Sequence, residues 1–429
     1  MKKFAFIGAG SFIFTRNLVR DLLSFPAFED CELALMDTDP ERLERITAAV
    51  RKINAAMGAH AKIAPTQSRA EALSGADGVL CTVFNGGIDV WRYDIEIPMQ
   101  FGVDINIGDT RSVSGIFRAL RNIPLMLDIC RDIEKYCPNA VFLNYTNPMS
   151  MLCKAMQTET NVEVTGLCHS VQVCSEKLLE KLGMEDKLEG RRELIAGINH
   201  MGWLLELHDK DGNDLYPEIR RRAAEKNATE KHDDMVRFEY IKHLGYYCTE
   251  SSEHNAEYNP LFIKSRYPEM IEKYNIPLDE YPRRCVEQIK GWEKEREDIL
   301  KDGKVTHERS KEYASYIMEA VVTGNPYKIG GNVLNTGLID NLPSDACVEV
   351  PCMVDANGIN PCHVGRLPVQ LAAMNMTNIN VQLLTIEAAA TRSKEKIYQA
   401  AMLEPHTAAE LNIDDIKAMC DELIEAQGN

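Results

Sequence analysis

From the N-terminus to about residue 195, short apolar runs alternate with stretches of helical periodicity. The runs KFAFIG, CELALMD, GVLCTVF (78–84), AVFLNY (140–145) and VEVTGLC (162–168) read as strands, and segments such as ALRNIPLMLDICRDIEKYC (119–137) as the helices between them. Strands alternating with helices imply a parallel sheet. Ligands of such sheets gather outside the carboxyl ends of the strands. Those ends fall near Gly8, Asp37, Asn85, Asn147 and Cys168.

The pattern changes in the second half. A polar turn, HDKDGNDLYP (208–217), precedes helices expected over 232–244, 282–302, 308–322, 382–403 and 407–426. The charge run 291–304 reads as a solvated helix face. The fold expected is α/β: a Rossmann-type parallel sheet over residues 1–195, followed by a mixed α+β domain over 196–429. A chain of 429 residues exceeds the size at which one simple core stops growing.

Composition narrows the partners. With 48 Lys+Arg against 65 Asp+Glu, the net charge of -17 argues against nucleic acid or an anionic membrane surface. The apolar run of MKKFAFIGAG is too short for a signal peptide, and no window approaches the roughly 20 apolar residues of a membrane span. Thirteen cysteines without a paired spacing indicate reduced thiols and a cytoplasmic protein.

Two features suggest a dinucleotide. Gly8 and Gly10 follow the first strand and open a helix, which allows a tight turn and close approach of a pyrophosphate to a helix N-terminus. Ile13 occupies the place of the usual third glycine, so an ordinary strand-to-helix turn remains an alternative. Asp37 ends the second strand at the distance expected for a ribose-binding carboxylate, which favours NAD over NADP; Asp39 is either a substitute or the cap of the helix opened by Pro40.

Further candidates lie in TGLCHSVQV and GINHMGW. Cys168 beside His169 is either a core pair or a thiolate looking for other metal ligands, and His200, next to Asn199, supplies one. An open site with one Cys and one His does not fix the metal; Mn²⁺, Fe²⁺, Co²⁺ and Ni²⁺ all qualify. Asn147 before Pro148 is a helix cap or a substrate ligand. The segment YYCTESSEHNAEYNP (246–260) is a surface loop or a store of acids and bases, with Glu250, Glu253, His254, Glu257 and Tyr258.

Taken in order, FIGAGS, LMDTDPERL, GDT, GIFRALRNIP, NYTNPMSM, GLCHSVQ, GINHMGW, ESSEHNAEY and VEVPCMVDANGINP resemble glycoside hydrolase family 4, and the CHS form of the cysteine motif resembles its α-galactosidase branch. The first half also resembles lactate and malate dehydrogenases in fold. The resemblance implies an NAD- and metal-dependent glycosidase, a homodimer or homotetramer, acting on α-galactosides such as melibiose. Its mechanism departs from two-carboxylate hydrolysis: oxidation at C3 acidifies the C2 proton, a base removes it, the aglycone is eliminated, water adds, and the hydride returns.

On this resemblance Cys168 and His200 hold Mn²⁺ or another divalent transition metal. Gly8, Gly10, Ser11, Asp37 and Asn85 bind NAD, and Asp109, Asn147 and Asn199 bind substrate. His169 is the leaving-group acid, and Glu253, His254 and Tyr258 are candidates for the base. After GDT the family's glycine-rich stretch is replaced by RSVSG (111–115), and Asn85 stands where a Gln is usual. Both departures bear on sugar specificity. Other α-glycosides (a glucoside or a galacturonide), a hydroxy-acid dehydrogenase and a nucleotide-sensing protein remain as alternatives.

Overall fold

The first apolar run folds as β1 (Lys3–Ile7), followed by α1 (Phe12–Leu23), β2 (Glu32–Met36), α2 (Pro40–Ala56), β3 (Lys62–Thr66), α3 (Arg69–Leu73) and β4 (Gly78–Cys81). Then come α4 (Gly87–Gln100), α5 (Ser112–Tyr136), β5 (Val141–Asn144), α6 (Met149–Glu159), β6 (Val164–Gly166) and α7 (His169–Lys181). The computed structural model describes residues 2–278, 287 and 309–428. The strands pair in parallel in the order β3-β2-β1-β4-β5-β6, as the alternation predicts. The strand order reverses between β1 and β4, where a crevice opens at the carboxyl ends.

Both faces of this sheet are covered, which explains the unbroken apolar runs. Phe4 and Phe6 of β1 pack on one side with Leu18, Leu22, Ile46 and Val50, whereas Ala5 and Ile7 point to the other, toward Ile123, Met126 and Leu152. Asp39 is the cap of α2: its carboxylate accepts from the amides of Glu41 and Arg42, and Pro40 opens the helix. Asp37 thereby stays at the end of its strand.

Strand β3, KIAPT, was not anticipated. It lies at the sheet edge, half exposed and interrupted by Pro65, so its apolar signal is weak. Helix α5 begins at Ser112, before the expected 119, because RSVSG is already helical from its second residue.

In the second half, β7 (Arg192–Ile198), β8 (Met201–His208), β9 (Tyr247–Cys248), β10 (Tyr327–Leu334), β11 (Cys347–Asp355) and β12 (Gly358–Pro361) extend the same sheet. Strand β10 pairs antiparallel with β6 through Asn332 and Gly166, and β11 pairs with β7 through Glu349 and Gly197. Helices α8 (Tyr216–Thr229), α9 (Met235–Leu244) and α10 (Ser252–Glu257) flank this part.

The helix expected over 308–322 spans Tyr313–Thr323. The one expected over 382–403 is two, Val369–Thr391 and Lys394–Leu403, broken where Arg392 turns left-handed and Ser393 caps the next helix. Likewise 407–426 divides into Pro405–Glu410 and Ile413–Ala426. The helix expected over 282–302 and the charge run 291–304 lie outside the described residues. No described helix is long and apolar enough to cross a membrane.

Candidate active site

At the end of β1 the chain turns through Gly8 with φ of 84°. A Cβ there would stand 2.7 Å from the carbonyl oxygen of Thr82, and one on Gly10 would stand 2.6 Å from an Asp37 carboxylate oxygen. Only glycine fits either position. Ser11 occupies the N-cap position of α1 without a side-chain cap hydrogen bond. Asp37 accepts from the amides of Gly10, at 2.7 Å, and Asp39, at 3.0 Å. A glycine turn, a helix N-terminus and a carboxylate at the next strand end fit a dinucleotide. Asn85 lies at the entry of α4 and donates to the carbonyl of Arg121, at 2.9 Å.

The second constellation begins where β6 ends. Cys168 is the N-cap residue of α7, buried, with its sulfur 3.1 Å from the Ser170 hydroxyl. Asn199 and His200 form the two-residue turn between β7 and β8, and His200 takes a left-handed φ of 61°. Glu250, between β9 and α10, is also left-handed, with φ of 65°. Non-glycine residues in this region are strained by about 1–3 kcal/mol each, a cost that tends to collect at functional sites.

The effect is convergence. The Cys168 sulfur, a His200 ring nitrogen and a Glu250 carboxylate oxygen all lie within 4.8 Å of one another. His200 Nε2 is 3.3 Å from Glu250, and its Nδ1 is 3.0 Å from the Tyr258 hydroxyl. Burial, with the charges of Glu349 and Glu250, pushes the Cys168 thiol well above its ordinary range, and burial lowers the pKa of His200. A divalent cation reverses the first effect and profits from the second, because it needs a thiolate and a neutral imidazole. Thiol, imidazole and carboxylate together fit a transition metal.

His254, on α10, links this cluster to a further carboxylate. Its Nδ1 faces Glu250 at 3.4 Å and the Ser251 hydroxyl at 2.9 Å; its Nε2 faces Asp109 at 3.6 Å. Burial opposes the imidazolium, but Glu250 and Asp109 together raise its pKa to about 9. Burial likewise opposes the Asp109 carboxylate, and the hydrogen bond and charge of His254 hold it well below the usual range. Asp109 also accepts from Thr110 at 2.7 Å and from Asn147 at 3.2 Å.

The departure at RSVSG turns inward. Arg111 is buried, donates to the Asn199 carbonyl at 2.5 Å, and lies 4.4 Å from the ring centre of Tyr258. Ser112 is the third left-handed residue at this site, with φ of 66°. The buried Asn199 amide makes no hydrogen bond of ordinary geometry among the described residues, and the Glu349 carboxylate is its polar neighbour.

The structure therefore gathers Cys168, His200, Asn199, Asp109, Asn147, His254 and Tyr258. His169 stands at the first turn of α7 with its side chain 58% exposed and its Nδ1 3.1 Å from Glu312, which raises its pKa. Glu253 points elsewhere, lining a surface pocket with Lys231, Asp233 and Glu272, while its carbonyl accepts from Asn106. Glu250 was visible in the sequence only as one acid in an acidic segment. Glu349, a buried carboxylate on β11 pushed up to about 7 by desolvation, carried no signal beyond its place in VEVPC. Glu257 accepts from the amides of Asn106, Ile107 and Gly108 and so anchors the loop that carries Asp109.

Comparison with known proteins gives one answer over the whole chain. The family described as Family 4 glycosyl hydrolase matches residues 3–184, and the Family 4 glycosyl hydrolase C-terminal domain matches residues 195–407. An alpha-galactosidase of Bacillus subtilis (strain 168) is 55% identical over 430 residues, covering 100% of this chain and 99% of that protein. An alpha-galactosidase of Rhizobium meliloti (strain 1021) is 35% identical over 99% of this chain and 88% of its own length. Among solved structures, a 6-phospho-alpha-glucosidase from gut microorganisms in complex with NAD and Mn²⁺ superposes with a TM-score of 0.81 at 21% identity, covering 100% of this chain and 98% of that one.

Proposed function

The chain belongs to glycoside hydrolase family 4, and on that premise we propose that it is an NAD- and divalent-metal-dependent glycosidase that cleaves α-galactosides such as melibiose. The observation that carries the reading is the convergence of Cys168, His200 and Glu250 within 4.8 Å, at the carboxyl end of the sheet whose first strand carries the Gly8–Gly10–Asp37 turn. Cys168 and His200, with Glu250, hold Mn²⁺ or a similar ion; Gly8, Gly10, Ser11, Asp37 and Asn85 hold NAD. When bound, NAD⁺ supplies a hydride acceptor and donor, and the metal a Lewis acid for adjacent sugar oxygens.

The side chains of this protein provide the proton chemistry and the orientation. Asn147, Asp109 and Asn199 contact the sugar. Removal of the C2 proton falls to the Asp109–His254 pair, 3.6 Å apart; Glu250 also faces His254, at 3.4 Å, but serves the metal. Tyr258 is buried against His200 and acts by fixing that imidazole. Glu253 has no place in this assignment because it faces another pocket. His169, anchored through Nδ1 by Glu312, presents its other ring edge to the leaving group.

We place the reaction in the cytoplasm, supported by described cysteines that are all free thiols. The proposed assembly, a homodimer or homotetramer, would cover exposed apolar side chains such as Val369, Leu403 and Ile413. The division into a cofactor half up to residue 195 and a substrate half beyond it belongs to the same proposal.

The test is hydrolysis of p-nitrophenyl α-galactoside in D₂O with NAD⁺, Mn²⁺ and a thiol reductant, each then omitted in turn. Activity that needs the cofactor and the metal, with deuterium at C2 of the released galactose, is the expected result. An inert complete mixture defeats the galactoside assignment, and C2 free of deuterium defeats the elimination route.

A further inference from the structure

Three arginines of the α5 region differ in what they hold. Arg121 is bound by both carboxylate oxygens of Asp94, at 2.9 and 2.6 Å, and by Gln427. Arg111 donates to the Asn199 carbonyl and lies over the Tyr258 ring; in Arg111 and Arg121 the Nε alone is left without an acceptor among the described residues. Arg118 is only 7% exposed, yet its Nε and Nη1 reach no hydrogen-bond acceptor among the described residues. A guanidinium carries donors alone and stays charged, so burying its N–H groups unpaired is costly unless a ligand supplies oxygens.

Its neighbours locate that ligand. The guanidinium carbon lies 5.2 Å from the ring centre of Phe84, just beyond β4. One turn along the same face of α5, Asn122 donates to the Asn147 carbonyl at 3.2 Å, and Asn147 binds Asp109. The charge of Arg118 helps hold Asp109 ionised. Asp109 thus stands between two groups: one oxygen faces His254 and the Cys168–His200–Glu250 cluster, the other faces Asn147 on the side of Arg118.

We propose that Arg118 recognises the sugar, its unpartnered N–H groups donating to hydroxyl oxygens on the C4–C6 edge of the galactosyl ring, across Asp109 from the edge held at the Cys168–His200–Glu250 cluster. The inference rests on the α-galactosidase reading above. A donor-only group at this place selects hydroxyl acceptors and rejects a ring that lacks them, because its own N–H groups would then stay unpaired. A purely structural arginine would instead support the fold, and the two roles separate by experiment.

The test compares R118M and R118K with the wild type on p-nitrophenyl α-galactoside and on its 4-deoxy and 6-deoxy counterparts. Thermal midpoints and NADH binding, read by fluorescence, are measured alongside. The expected R118M protein melts at or above the wild-type temperature, since a buried unpaired cation has been removed, and binds NADH normally. Its kcat/KM on the galactoside falls about 10- to 100-fold, mainly through KM. The loss on the congener lacking the partner hydroxyl is several-fold smaller; should R118M not fold, R118K supplies the same comparison. Kinetics within twofold of wild type, equal losses on all three sugars, a parallel loss of NADH binding or a lower melting temperature each overturn the role. A wild-type enzyme inert to galactosides overturns the α-galactosidase reading itself, and the C4–C6 assignment with it.

Discussion

The Nδ1 of His200 lies 3.0 Å from the hydroxyl of Tyr258, and this contact sets which ring nitrogen faces Cys168 and Glu250. An imidazole that offers its Nε2 lone pair to a metal carries its proton on Nδ1, where the phenol oxygen accepts it. Tyr258→Phe removes the acceptor while keeping the ring beneath Arg111. Metal affinity should fall about 10- to 100-fold, with NAD⁺ binding unchanged. Titration of metal-free protein with Mn²⁺ measures both; an unchanged affinity would remove Tyr258 from the site.

Cys168→Ser tests the proposed ligand directly. A serine hydroxyl is a poor substitute for a thiolate toward transition metals. The substitution should cost more affinity than Tyr258→Phe, roughly 100-fold or more, and leave the protein folded. Chelation of the wild type should likewise abolish activity, with recovery on adding Mn²⁺.

Asp37→Ser addresses the cofactor. The carboxylate at the end of β2 receives the Gly10 amide and faces the expected ribose position. Its loss should weaken NAD⁺ about tenfold and reduce discrimination against NADP⁺, because the repulsion of a 2′-phosphate disappears. Competitive binding of the two cofactors gives the ratio; an unaltered ratio would move the ribose elsewhere.

Glu349 supplies a pH signature. Burial raises its pKa from 4.5 to about 7. The folded protein therefore keeps a proton that the unfolded chain releases earlier, a contribution complete below about pH 4.5 and lost as pH rises through about 7. Glu349→Gln should remove a pH-dependent destabilisation on the order of 2–3 kcal/mol. Melting of metal-free protein from pH 5 to 7.5 should show the variant gaining on the wild type as pH rises; parallel curves would refute this.

The same residues show how far the sequence could be read. Gly8, Gly10 and Asp37 were legible because a tight turn and a strand end leave local marks, and Cys168 and His200 because each follows an apolar run. Glu250 was one acid among several, and only its left-handed backbone turns it toward His200. Glu253, three residues on and equal in residue type, points to another pocket. Composition and periodicity do not distinguish them.

The sequence by itself determined the alternation of strand and helix, a parallel sheet and the likeness to one glycosidase family, since hydrophobic period and motif order are properties of the chain read locally. Tertiary structure alone decided that the second half extends the same sheet, joined through Asn332 to Gly166 and Glu349 to Gly197. It alone decided which carboxylates meet the imidazoles and that Arg118 Nε and Nη1 find no acceptor among the described residues. These outcomes depend on distances between residues far apart in the chain, fixed by packing and strand register.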